Sequence, residues 1–162
     1  MHLFKIGNDM AQNILVREAN ELDISTLIVY NRALAKETEN ITLNEGILRL
    51  GIERTLELKD CHYFVAELNG KVVGQSMITS EWSDWRNGVM WWIQSVYVNP
   101  SFRERGVFTS IWNYIEALVE KKPEVKALRL YVMHDNKVGT SAYTNLGMKN
   151  SGYVVYEKSH QA

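Results

Sequence analysis

The sequence predicts an α+β protein whose mixed, mostly antiparallel sheet carries helices on both faces. Three observations predict it. Residues 63–68 and 71–79 are apolar runs that flank Asn69-Gly70, the pair preferred where both residues of a tight hairpin need positive φ. A third run, residues 89–98, follows Asn87-Gly88 and ends at Asn99-Pro100, where proline has no N–H to give a ladder. Beyond Gly106, residues Val107, Phe108, Ile111, Trp112, Ile115, Leu118 and Val119 recur at helical spacing, and another apolar run follows Pro123. Strand, helix and strand in that order imply a parallel crossover.

The remaining elements fall around this centre. Residues 14–19 read as a first strand. Ser25 can cap a helix to about Lys36, with Leu27, Ile28, Leu34 and Ala35 on its apolar side. A second helix is expected over residues 44–59, and the polar stretch 37–40 between the two is expected to be an exposed connection. Residues 127–133 read as the strand after the crossover. A short helix over 137–146 stops at Gly147, and residues 148–157 are expected to form a last strand. No repeat, low-complexity tract or linker divides the chain. Residues 1–162 are therefore expected to be one domain, with a core spanning about 14–157.

Composition excludes several classes of function. With 46% hydrophobic and 23% charged residues the chain has the balance of a globular protein. A net charge of −1 without a Lys/Arg block gives no reason to expect a nucleic-acid partner. No apolar run approaches the roughly 20 residues of a membrane span, and Met1 to Lys5 does not open a signal peptide, so a cytoplasmic protein is expected. The single cysteine, Cys61, permits no internal disulfide or cysteine-based zinc site and reads as a core residue; four scattered histidines predict no metal.

The stretch from Val96 to Phe108 carries the chemistry. A strand enters a short loop, a helix starts at its glycine, and the free N–H groups of that helix's first turn form an anion site. Arg103 and Arg105 add positive charge, and Gly106 admits a close backbone approach. These features define a phosphate or pyrophosphate binder. Gly-Lys-Ser/Thr is missing, which excludes a P-loop, and one glycine after antiparallel hairpins does not make a dinucleotide fingerprint.

The stretch resembles motif A of the GNAT family of N-acetyltransferases, in which Arg/Gln-x-x-Gly-x-Gly/Ala follows a strand of the type hydrophobic-x-Val-x-Pro. Arg103 and Gly106 match it. Asn136 lies seven residues before Tyr143, and Tyr143-Thr144-Asn145-Leu146-Gly147-Met148 is similar to that family's Tyr-x-x-Leu-Gly-Phe/Met segment. The resemblance implies the single-domain acyl-CoA N-acyltransferase fold, with acetyl-CoA as co-substrate and a small-molecule primary amine as acceptor. It implies that the backbone at Val96, Tyr97 and Val98 pairs with the pantetheine arm. Arg103, Glu104, Arg105, Gly106, Val107 and Phe108 would surround the pyrophosphate, and Asn136 would touch the cofactor. Tyr143 would stand by the thioester sulfur as general acid, with an N–H of Tyr97 or Val98 polarising the acyl carbonyl. A homodimer is compatible with the resemblance. Two alternatives share these residues: a protein or peptide N-acetyltransferase, and a non-catalytic CoA-binding regulatory domain.

Two departures stand out. Phe108 replaces a small residue, and its ring is expected to point into the core with Ile111 and Trp112. Trp92 stands where histone-acetylating members have a glutamate base. Glu81 is the first candidate for that role, with Glu37 and Glu39 as others. Trp82 and Trp85, near Glu81 and Asp84, form a candidate lining for a cationic acceptor.

Overall fold

The computed structural model describes residues 13–160, so the reading of the first residues as free of a signal peptide lies outside the described part. The described chain forms two compact units, one running to Leu130 and the other from Tyr131.

The first unit contains a five-stranded sheet in the order β1-β2-β3-β4-β5. Strands β1 (Leu15–Glu18), β2 (Cys61–Leu68), β3 (Lys71–Ser83) and β4 (Gly88–Val98) pair antiparallel in sequence order. β5 (Val125–Leu130) joins β4 in parallel, as the crossover requires. Asn69 and Gly70 take φ of 52° and 74°, the tight turn their sequence predicts. The second hairpin differs. Its loop is residues 84–87, closed by the Asn87 amide on the Asp84 carbonyl at 3.3 Å, and Gly88 already belongs to β4. Only Asn87 is left-handed there, at φ 44°. The longer loop register carries β3 on to Ser83 and brings Glu81 inside the strand, opposite Met90.

Helix α1 (Ile24–Glu39) runs three residues beyond the expected end, because Asn40 adopts the left-handed conformation at φ 56° and closes the last turn onto the Ala35 carbonyl. Glu37 and Glu39 are therefore helical rather than in a connection. Asn44 caps α2 (Glu45–Glu57) by accepting from the Ile47 amide at 3.0 Å. Leu27 and Ile28 of α1 and Ile52 of α2 pack on Tyr63 and Val65 of β2. Successive strand residues face opposite sides, so Phe64 and Ala66 serve the other face. There α3 (Val107–Val119) sets Tyr114 against Phe64 with ring centres 5.5 Å apart, and buries Val107, Ile111 and Ile115 completely. Each such aliphatic side chain contributes about 1.5–3 kcal/mol. Helices thus cover both faces of a mixed sheet, as expected.

In the second unit α4 (Lys137–Asn145) is capped by Asn136, whose side-chain oxygen accepts the Gly139 amide at 2.8 Å. Residues 148–157 form no strand. Tyr153, Val154, Val155 and Tyr156 are all strongly exposed. Their β propensity needs a paired edge to become a strand, and among the described residues β5 pairs with β4 alone. Among the described residues no helix is long and apolar enough to cross a membrane.

Gly88 sits where β4 starts beside β5, and a Cβ there would meet the Glu124 backbone oxygen and the Lys126 side chain. Gly88→Ala should destabilise the protein by about 1–3 kcal/mol in thermal or urea unfolding. Native stability in this variant would mean that the approach of the two strands is not tight.

Candidate active site

The site is built where β4 leaves its neighbour. The β4–β5 ladder ends at Ile93↔Leu130, so among the described residues 94–98 have no β5 partner. On the other side β4 stays paired with β3, but with a bulge: Met77 opposes Gln94 and Gln75 opposes Tyr97. Ser95 and Val96 therefore stand against Ser76 alone, and Ser95 takes a positive φ of 50°. Beyond the bulge the Asn99 amide donates to the Val73 carbonyl at 2.9 Å. Antiparallel alternation then turns the backbone of Tyr97 towards β3 and the backbone N–H and C=O of Val98 away from it. Of the two amides the sequence offers for an acyl carbonyl, the register favours Val98.

The loop that follows is tightly wound. Asn99 caps a 3₁₀ turn at Pro100–Phe102, and Glu104 and Gly106 both have positive φ, 61° and 78°. A Cβ on Gly106 would meet open space, so its conformation rather than crowding calls for glycine. The Ser110 amide makes the first helical bond of α3, to the Gly106 carbonyl, and no side chain caps the turn. The amides of Val107, Phe108 and Thr109 precede that bond, in the turn where the sequence reading expects an anion site. Phe108 is half-buried with its ring 6.5 Å from Trp112, so it packs along the helix rather than fully into the core.

The two arginines have different surroundings. Arg103 donates from Nε to the Val98 carbonyl at 3.0 Å and from Nη2 to Glu37 Oε2 at 2.7 Å, and lies over the Tyr97 ring at 5.5 Å. Tyr97 donates its hydroxyl to Glu37 Oε1 at 2.9 Å. Glu37 is thus tied to both Tyr97 and Arg103. The Arg103 hydrogen bond holds its carboxyl below the usual carboxylate range, against desolvation and with help from Tyr97. Arg105 instead lies over the Phe102 ring at 5.5 Å.

On the sheet face shared with Tyr97, Trp92 donates its indole N–H to Glu81 Oε2 at 2.5 Å. Arg129 of β5 stands 3.6 Å from the same carboxylate and 5.5 Å over the Trp92 ring. Where position 92 supplies no carboxylate, the neighbouring strand does. The aromatic partner of Glu81 is therefore Trp92, already faced by an arginine, while Trp82 and Trp85 are 63% and 92% exposed on the hairpin. Arg129 gave no signal in the sequence.

In the second unit Asn136 spends its oxygen on the α4 cap. Burial raises the Tyr143 pKa above the ordinary phenol value.

Residues 30–148 match the model of the Acetyltransferase (GNAT) family. A solved possible acetyltransferase from Clostridium difficile 630 is 39% identical over 92% of this chain and 99% of its own, with a TM-score of 0.85. A predicted acetyltransferase with acetyl-CoA from Clostridium acetobutylicum is 18% identical over 90% and 96%, with a TM-score of 0.74. An aminoglycoside acetyltransferase from an uncultured soil metagenomic sample, in complex with sisomicin, is 12% identical over 92% and 97%, with a TM-score of 0.72. No curated protein sequence matches. The chain belongs to the GNAT family of acetyltransferases. It is an acetyl-CoA-dependent acyltransferase with the family's α+β fold.

Because Glu37 is held below the usual carboxylate range, the link to Arg103 contributes stability at neutral pH that is lost as pH falls through the lowered pKa. Glu37→Gln should melt below wild type near neutral pH, and the gap should shrink as the pH is lowered below the usual carboxylate range. A gap that stays constant across thermal melts would mean that the charge of Glu37 contributes nothing.

Proposed function

We propose that this protein transfers the acetyl group of acetyl-CoA to a primary amine of a small molecule by direct attack in a ternary complex. One observation carries the reading: among the described residues β4 has no strand partner on its β5 side beyond Ile93, and it leads straight into the first turn of α3, where no side chain caps the helix. Such an edge suits amide groups of a pantetheine arm, and such a turn suits a pyrophosphate, so one continuous stretch fits both parts of the cofactor. When bound, acetyl-CoA supplies the activated thioester. Val98 N–H then donates to the acyl oxygen as negative charge develops there, with Val96 and Tyr97 fixing the strand's course. The loop from Arg103 through Glu104, Arg105 and Gly106 to Val107 and Phe108 holds the pyrophosphate mainly through main-chain N–H groups. Asn136 donates to the cofactor from its amide nitrogen.

Tyr143 acts as general acid and gives its proton to the departing thiolate. A phenol carries its proton at neutral pH and can donate it to a thiolate within hydrogen-bond reach, which supports this role. Glu81 receives the proton of the attacking amine, supported by its place on the face that bears Trp92. The aminoglycoside acetyltransferase among the structural relatives supports a small-molecule acceptor. Residues 1–162 act in this reading as one domain.

Calorimetric titration with acetyl-CoA tests the cofactor site, and no binding at millimolar concentration would overturn the reading. Release of CoA in the presence of polyamines, aminoglycosides, amino acids or peptides identifies the acceptor; turnover with peptides alone would replace the small molecule by a protein. Tyr143→Phe should lower kcat by about 10²–10⁴-fold with acetyl-CoA affinity nearly unchanged. Loss of affinity as the whole cause would make Tyr143 structural. Glu81→Gln should lower kcat/KM for the acceptor, and an unchanged value would reject its part in proton transfer.

A further inference from the structure

The bulge that opens β4 is held by side chains no motif identifies. In a regular ladder the carbonyls of Gln94 and Ser95 would face backbone partners, and the extra residue breaks that order. Side chains of β3 take their place. Gln75 donates from Nε2 to the Ser95 carbonyl at 3.2 Å, and Ser76 donates its hydroxyl to the Gln94 carbonyl at 3.4 Å. Adjacent residues of one strand point to opposite faces, so the bulge is gripped from both sides of the sheet.

The grip is inside the protein. Gln75 and Ser76 are both 0% exposed, in the otherwise apolar run from Val72 to Ile78. Gln75 even leaves its Oε1 buried without a hydrogen-bond partner. A chain selected for stability alone would place an aliphatic residue there, since an orphaned buried acceptor is unfavourable. Tyr63 and Asn31 complete the arrangement: the Asn31 amide donates to the Tyr63 hydroxyl at 3.3 Å and to the Leu27 carbonyl at 2.8 Å. Burial raises the Tyr63 pKa, while hydrogen bonding with Ser95 and Asn31 lowers it again. Helix α1 is thereby linked to the bulge.

We propose that Gln75 and Ser76 are positioning residues that lock the Ser95 bulge and so aim the Val98 N–H away from β3, towards the side on which acetyl-CoA is proposed to bind. Neither touches cofactor. They act by holding Ser95 in a backbone conformation that residues with a side chain rarely adopt. The proposal rests on the reading of the Val98 edge as the cofactor edge.

The test is acetyl-CoA affinity by calorimetry, which needs no acceptor. Gln75→Met keeps the volume and removes both the bond to Ser95 and the orphaned oxygen, so the melting temperature should change little. Affinity should fall about tenfold, because the bulge is free to relax. Adding Ser95→Gly should restore it, since glycine takes positive φ without the clamp. Unchanged affinity in Gln75→Met at native melting temperature overturns the proposal, as does a loss that Ser95→Gly fails to rescue. Should Gln75→Met fold poorly, Ser76→Ala decides in the same way: weaker binding at native stability supports the clamp, and full affinity rejects it. Absence of binding by the wild type would instead sink the cofactor-edge reading itself.

Discussion

One extra residue in β4 governs the site. With Ser95 and Val96 set against Ser76, β4 keeps its pairing with β3 as far as Gly74↔Val98, while its ladder with β5 stops at Ile93↔Leu130, where β5 ends. A strand in the middle of a sheet has no spare hydrogen-bonding groups, so a ligand cannot pair with it. The bulge makes such groups available without ending the strand. It also fixes where Asn99 and Pro100 begin the loop and hence where the first turn of α3 stands. Ser95 in left-handed conformation costs on the order of 1–2 kcal/mol, which the surrounding sheet must offset. The strand edge, the loop and the helix start are therefore one geometric consequence.

A second tie stiffens that geometry. Tyr97 stacks near Tyr30 of α1, with ring centres 5.1 Å apart, and its hydroxyl shares the Glu37 carboxylate with Arg103. Arg103 also holds the Val98 carbonyl. The guanidinium thus links the last turn of α1, the end of β4 and the loop that follows. An arginine engaged on three sides serves as a strut, and a planar fork of five donors suits this better than lysine would. Arg105 rests on Phe102 instead, and among the described residues it carries no such bond to a carboxylate.

The sequence is most informative where structure is local. Asn69-Gly70, the stripe of α3 and the motif around Gly106 depend on neighbours a few residues away, and each forms as its spacing implies. Features that depend on pairing between distant segments are not visible in the same way. Nothing at Ser95 marks a bulge, because a bulge is a property of two strands; only the polar pair Gln75-Ser76 inside an apolar run hints at it. Glu37 meets Arg103 across 66 positions, and recognising this needs α1 to continue past Lys36 on the strength of its Asn40 cap. The expected strand at 148–157 fails for the converse reason: its residues have the propensity, but a ladder needs a partner.

The same distinction bears on the proton acceptor. At Trp92 the expected carboxylate is missing, yet Glu81 comes beside the indole because the long 84–87 loop extends β3 alongside β4. Arg129 then pairs with it, so the surroundings of Glu81 carry a near-balanced charge rather than a negative one. Such a carboxylate is poorly suited to drawing a polycation from solution, as the nearby arginine opposes that field. It is better suited to a short-range task. In the proposed reaction the amine attacks as a neutral nucleophile and becomes positive only as the new bond forms. A carboxylate oriented by an indole N–H favours that late charge over the starting amine, which is the condition for accelerating the step. Recognition of the acceptor then falls to other groups, leaving Glu81 to the proton.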